Sequence, residues 1–261
     1  KIDELNVEPT RVIIQDVFEK HIIYAKGMEK VREVVNSRII PTPGAVMEAA
    51  KLLKEFLGDI IVFDVGGATT DLHSVTEGSE EVNRVLISPE PYAKRTVEGD
   101  LGLYVNHMNI IEKIGKERLL LDLKVNEADL DKILKEYREI PDENQIPLVK
   151  RLTKEALKIA LDRHAGFFRN LYGAEGRVKV AEGKDLTNVK YIIGTGGALT
   201  RLKDGKTLIK EVIQASDPMK LVPPKEAQVY LDNHYIMASL GVLALKYPDK
   251  AKVLLFESLG L

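Results

Sequence analysis

The stretch D-V-G-G-A-T-T-D at Asp64–Asp71 constrains this chain more than any other. An apolar run, I-I-V-F, leads into it from Asp59 to Phe63 and reads as a buried strand. Thr70 to Val75 reads as another strand, and Val82 to Ile87 as a third after the polar turn Glu77–Glu81. Gly66 and Gly67 open turn conformations closed to other residues and let an anion come close. A glycine-rich turn can aim several N–H groups at one point, which suits a phosphate. Ala68 continues that turn, and Thr69 and Thr70 can add hydroxyl donors. Asp64 and Asp71 carry the wrong sign to hold phosphate, but they suit a hydrated Mg2+ bridging to one, because Mg2+ takes few carboxylates and keeps several waters. Asp64 can also orient an attacking water. A plain hairpin turn uses the same residues. The stretch is not a P-loop, since no Lys follows the glycines and a strand follows where a P-loop has a helix.

A second glycine-rich turn, Y-I-I-G-T-G-G-A-L at Tyr191–Leu199, joins a strand to a helix. Gly194, Thr195, Gly196 and Gly197 leave bare backbone against which a flat adenine–ribose unit can lie. Close helix–strand packing is the competing reading. If both turns leave strands of one sheet at the same edge, they face one crevice.

The rest of the pattern supplies the frame. Residues 10–37 show helical spacing, with Val12, Ile13, Val17, His21 and Ile22, then Val31, Val34 and Val35 after Gly27. Arg38–Pro43 is expected to be extended, and a small-faced helix to run from Pro43 or Gly44 to Leu57, stopped by Gly58. Helical patterns fill Leu101–Ile114, Glu127–Tyr137 and Ile146–Leu171. A short strand at Gln228–Leu231 precedes helices at Asn233–Lys246 and Asp249–Glu257. Three strands, helices, strand, helix, strand, helix is the ribonuclease-H-like order, an α/β fold with a mixed sheet and flanking helices. The helices at about 106–176 are expected to form an insertion.

Taken together, these motifs resemble the actin/Hsp70/sugar-kinase ATPase superfamily. Asp64–Asp71 resembles its second phosphate motif, with Ala68 at the third Gly. Ile193–Leu199 resembles its adenosine motif. P-T-P-G-A-V at 41–46 and A-S-L-G-V-L-A at 238–244 resemble its two connecting helices, which would place Gly241 against Ala45 or Ala49. The family's first phosphate loop, Asp-x-Gly-x-Thr, has no counterpart. The expected organisation is therefore a tail of a first lobe at 1–40 and the second actin-like lobe at 41–261, a piece of a longer protein.

Within the superfamily the wording is similar to the MutL-type proteins associated with glutamate mutase and aminomutases: H-I-I-Y-A-K-G at 21–27, I-P-T-P-G-A-V-M-E-A-A at 40–50, R-T-V-E-G-D-L-G at 95–102 and G-K-D-L-T-N-V at 183–189. That resemblance implies ATP or ADP with Mg2+ as ligands, an adenosylcobalamin-dependent mutase as partner, and a chaperone-like role in reactivating it. It also implies that this chain alone hydrolyses little, because the other lobe carries half of the phosphate clamp. A lobe of a small-molecule kinase and a non-catalytic interaction module remain the alternatives.

Composition narrows the field further. The net charge of -2 gives no long-range attraction for nucleic acid or anionic membrane. The longest apolar stretch, Tyr235–Leu245, is far short of the roughly 18 residues of a membrane span. With no cysteine there are no disulfides, no thiolate sites and no cysteine nucleophile, which suits a reducing cytoplasm. Glu98 and Asp100 read as a helix cap or a catalytic carboxylate, His73 as a core or surface histidine, and Arg201 as a base contact or a surface residue. Asp162–Gly166 nearly matches a cobalamin motif but has its glycine one position early, so it reads as a helix end.

Overall fold

The computed structural model describes residues 10, 13, 14, 17, 21, 24–35, 39–173 and 176–261. Of the expected N-terminal helix, α1 (Met28–Val34) is described, entered through Gly27 at φ 97°. Val12, Ile22 and Arg38 lie outside the described residues. Helix α2 (Thr42–Leu57) starts behind Pro41 with Pro43 in its first turn, where a missing N–H costs nothing. It ends at Gly58, φ 92°.

The central sheet holds β1 (Ile60–Val65), β2 (Thr70–Val75), β3 (Ala93–Glu98), β6 (Tyr191–Thr195) and β7 (Gln228–Leu231) in the order β3-β2-β1-β6-β7. Strand β2 is antiparallel to both neighbours, while β1, β6 and β7 run parallel. This is the ribonuclease-H-like, actin-like arrangement. Strand β1 is buried on both faces, hence its unbroken apolar run. Ile60 and Val62 pack with Val46, Ala49 and Leu53 of α2 and with Met237 and Leu240 of α10 (Met237–Ala244). Ile61, Phe63 and Val65 pack on the other side with Leu152, Ala156 and Leu157 of α7 (Ile146–His164). Helices α4 (His107–Ile114), α5 (Lys116–Leu123) and α6 (Glu127–Lys135) extend this second layer, with Ile110, Leu119 and Leu130 fully buried. A five-residue helix, α8 (Gly197–Arg201), and α9 (Gly205–Gln214) link β6 to β7. Helix α11 (Pro248–Leu259) closes the chain over the α2 layer.

Three expectations fail, each for a local reason. Val82–Ile87 is not the third strand. Ser79 accepts a hydrogen bond from the Val82 amide and starts a four-residue helix, α3 (Glu80–Asn83). The third strand is Ala93–Glu98, an edge strand whose polar K-R-T hides the alternation. The long helix does not reach Leu171 either. It stops at His164, and an antiparallel hairpin follows, β4 (Phe167–Gly173) with β5 (Gly176–Glu182). Gly166 sits so close to the hairpin's base that a Cβ would lie 2.4 Å from the Glu182 carbonyl oxygen. Finally, Leu101–Asn106 is a loop rather than the start of the first core helix. The helix that covers β1, β2 and β3 on this face, opposite α2, is α7, which comes from inside the stretch read as an insertion.

Candidate functional site

The parallel strands end on one edge of the sheet, and β2 begins there. That edge gathers Asp64 near the end of β1, Asp71 at the start of β2, Glu98 at the end of β3, Thr195 at the end of β6 and Asp232 just past β7. Sites in open α/β sheets form in this position, where neighbouring loops diverge.

Asp64 and Asp71 are directly opposed across the β1–β2 ladder, so both project on the same face. Between them Gly66–Thr69 forms the turn, closed by the Gly66 amide donating to the Thr69 carbonyl at 2.9 Å. Neither Gly66 nor Gly67 takes left-handed backbone, so their use is bareness rather than a forbidden φ. The loop Leu101–Asn106 clasps the turn through its carbonyls. Leu103 N–H donates to Gly66 O at 3.1 Å, and the amides of Tyr104 and Val105 both donate to Gly67 O at 2.8 Å. The Asn106 side-chain amide reaches Ala68 O at 3.2 Å. Gly102 is pressed on Ala68, with room for no Cβ beyond 2.3 Å. With its carbonyls engaged, the turn leaves the amides of Gly67, Ala68 and Thr69 without an acceptor among the described residues. Gly67 and Ala68 are solvent-exposed. An anion is what such a set of amides lacks.

The two threonines separate. Thr70 is fully buried and its hydroxyl donates to Leu101 O at 2.8 Å, so Thr70 supports the turn from within and presents no donor to a ligand. Thr69 lies nearer the surface, its hydroxyl 3.3 Å from Asp71 Oδ2. The other oxygen, Asp71 Oδ1, is buried with no hydrogen-bond partner. Burial, and then the neighbouring Asp64 charge, push the Asp71 carboxyl up to about 7. Burial and then Asp232 push Asp64 up to about 6. Two opposed carboxylates, each raised by burial and by a neighbouring acid, and one with an orphaned oxygen, fit a divalent cation. Among the described residues no cluster of three or more His, Asp or Glu has metal-binding geometry, so water and phosphate oxygens would have to complete the shell.

At the second turn the glycines serve different ends. A Cβ on Gly194 would lie 2.7 Å from Leu231 Cδ2 and 2.9 Å from Ile209 Cδ1, so Gly194 lets the core close and faces no ligand. Gly196, at φ 88°, presses on β1. Its Cβ would stand 2.4 Å from Val65 O and 2.8 Å from Asp64 Oδ1. Gly196 thus ties the second turn to the first carboxylate. Thr195 gives its hydroxyl to Asp232 Oδ2 at 2.9 Å. Only Gly197 faces open space. Of the four residues expected to hold adenosine, one is free to do so and three build the wall behind it.

Asp232 is the residue that sequence reasoning missed. It is buried, and its oxygens also accept from the amides of Ile236 and Met237 at 3.2 and 2.8 Å and from the Ser258 hydroxyl at 2.5 Å. It fastens β6, the entry of α10 and α11 together. An Asp directly after the strand Gln228–Leu231 and ahead of a helix was the available signal.

Other candidates resolve as structural. Asp100 is neither cap nor catalyst: the Arg163 guanidinium grips both its oxygens, at 2.8 and 3.0 Å, and lowers its carboxyl to about 2. Glu98 binds the same Arg163. His73 is fully buried with both ring nitrogens unpartnered, and burial lowers it to about 3. His164 ends α7 with its ring between Thr96 and Ser74, at 2.9 and 2.8 Å, which agrees with the helix-end reading of 162–166. A cavity of ≈ 420 Å³ opens among Thr76, Glu77, Leu86 and Tyr92, at the opposite edge of the sheet, and takes no part in the site. No helix among the described residues is long and apolar enough to cross a membrane.

The chain is similar to known proteins. The family model described as MutL protein matches residues 1–259. Protein MutL of Clostridium tetanomorphum is 38% identical over 265 residues, which takes in 96% of this chain and 57% of that protein. The chain therefore spans a little over half the length of this curated relative. Among solved structures, a chain of a PilM-PilN type IV pilus biogenesis complex aligns with 85% of this chain and 53% of its own, at 13% identity and a TM-score of 0.32.

Proposed function

We propose, because this chain belongs to the MutL protein family, that it is the nucleotide-binding lobe of an ATP-dependent reactivating factor. Its client would be an adenosylcobalamin-dependent amino-acid mutase, as the resemblance to mutase-associated proteins implies. One observation carries the nucleotide part. The turn between Asp64 and Asp71 engages its carbonyls and leaves the amides of Gly67, Ala68 and Thr69 unpaired beside a buried carboxylate oxygen that also lacks a partner.

In this reading the three amides and the Thr69 hydroxyl hold the terminal phosphates. Asp64 and Asp71 would hold Mg2+, which would supply charge neutralisation to the phosphates. Asp64, partly exposed, would orient the attacking water. Gly197 lies where the sugar and base pass the end of β6. Helices α2 and α10 meet backbone to backbone at Gly241 and Ala45, and transmit cleft closure to the lobe that completes the protein.

The test is ATP turnover by the full-length protein with and without a candidate mutase. Substrate-independent turnover that rises with the mutase is the expected result. Turnover that requires a small-molecule acceptor would mark a kinase instead, and no binding of Mg-ADP or Mg-ATP would leave only an interaction module. This chain by itself is expected to hydrolyse ATP weakly or not at all.

A further inference from the structure

Two non-glycine residues among those described have left-handed backbone, Lys124 at φ 57° and Tyr235 at φ 54°. Lys124 closes the C-terminus of α5, where that conformation is ordinary. Tyr235 closes no helix, and a bulky residue there is an outlier. Left-handed backbone carries a steric cost for an L-residue that glycine avoids.

The surroundings hold it in place. Tyr235 N–H donates to Asp232 O at 2.8 Å, closing a turn directly after β7. The Asp232 carboxylate then pins Ile236 and Met237, so the turn has no freedom to relax. The result is a residue 53% exposed, just past the end of β7 on the sheet edge where β1 and β6 also end. Its hydroxyl neighbours Gly197, Asp64, Asp232 and Arg201, and burial raises it above its ordinary value. Strand β7 lies two positions from β1, about 10 Å along the sheet edge at the usual strand spacing. A nucleotide with its phosphates at Gly67–Thr69 and its sugar passing the end of β6 would run along this edge toward β7.

We propose that Tyr235 is a specificity-determining residue of the nucleotide site, its ring packing on the sugar–base end of the ligand opposite Gly197. This rests on the nucleotide reading of the Asp64–Asp71 turn. A strained aromatic on a rigid turn, half exposed at the mouth of a crevice, adds little to folding that glycine would not, and gives a flat ligand a face to lie on.

The experiment compares wild type, Tyr235→Gly and Tyr235→Phe as full-length proteins. Mg-ADP affinity is measured by calorimetry, and melting temperature without nucleotide. Loss of one aromatic–base contact weakens binding by about tenfold, so Tyr235→Gly is expected to bind at least that much more weakly. Tyr235→Phe, which keeps the ring, is expected to bind within about threefold of wild type. Because glycine takes φ 54° freely, the ligand-free Tyr235→Gly protein is expected to melt at or above the wild-type temperature. Unchanged affinity in Tyr235→Gly would overturn the contact while leaving the nucleotide site standing. A fall in both affinity and melting temperature would show a structural role and overturn it too, as would an equal loss in Tyr235→Phe. A wild-type protein that bound no Mg-ADP would overturn the site itself, and this contact with it.

Discussion

Replacing Gly241 with Ala reverses the usual sign of that substitution. In the interior of a helix Ala is favoured over Gly by about 1 kcal/mol. Gly241 sits inside α10, where a Cβ would lie 1.8 Å from Ala45 O, 2.7 Å from Ala45 C and 3.1 Å from Ala49 N. All three are backbone atoms and cannot rotate away. Bringing the nearest contact to ordinary van der Waals distance requires the helices to part by roughly 1.5 Å. That movement would open the seam formed by Ala45, Val46, Ala49, Met237 and Leu240, each at most 8% exposed. Overpacking of this kind costs about 3 kcal/mol at the upper end of its usual range. Against the helical gain, the net loss is about 2 kcal/mol. For a chain of this size that lowers the melting temperature by roughly 4–8 °C. Thermal unfolding followed by circular dichroism measures it directly. A Gly241→Ala protein melting at or above wild type would refute the backbone contact between α2 and α10.

Three further outcomes come from the site. Asp64 and Asp71 titrate at about 6 and about 7, above the ordinary 3.8. The folded metal-free chain therefore keeps protons that the unfolded chain releases, and the pair's contribution to stability falls as pH rises from about 4 to about 7. Ionisation frees the site for metal, so Mg2+ affinity should rise by roughly 100-fold from about pH 5.5 to about pH 7.5, read by calorimetry. An affinity flat across that window would contradict the assignment of these carboxylates. Gly102→Ala pushes a methyl group into the Ala68 backbone, where 2.3 Å is available. It should weaken Mg-nucleotide binding by about tenfold or more by displacing the turn, whereas unchanged binding would show that Leu101–Asn106 does not set the turn's shape.

Much of this was legible in the residues because the relevant constraints are local. The apolar run Ile60–Phe63 had to be a strand buried on both sides, and Pro43 and Gly58 bracket α2 as their backbone chemistry requires. The packing of Gly241 on Ala45 and Ala49 was implied by the resemblance of 41–46 and 238–244 to the superfamily's two connecting helices, and the structure shows it. What escaped depended on distant partners. Lys94–Val97 became a strand because β2 was there to pair with it, and its own pattern is polar. Leu101 and Leu103 kept a helical spacing but were drawn into the loop by Thr70, Gly66 and Gly67. The glycines at 194 and 196 looked alike on paper. One is pressed by Leu231 and Ile209, the other by Val65, and no sequence neighbour announces either contact. Asp232 was overlooked because its partners, Thr195 and Ser258, come from separate segments.

The turn between Asp64 and Asp71 carries the account, and titrating Mg-ADP into the full-length protein tests it most directly, wild type beside Asp64→Ala. Saturable, Mg2+-dependent binding by wild type is expected, abolished in Asp64→Ala with the circular dichroism spectrum unchanged. Equal binding by the two proteins, or none by wild type, would contradict the assignment of this turn to nucleotide and metal.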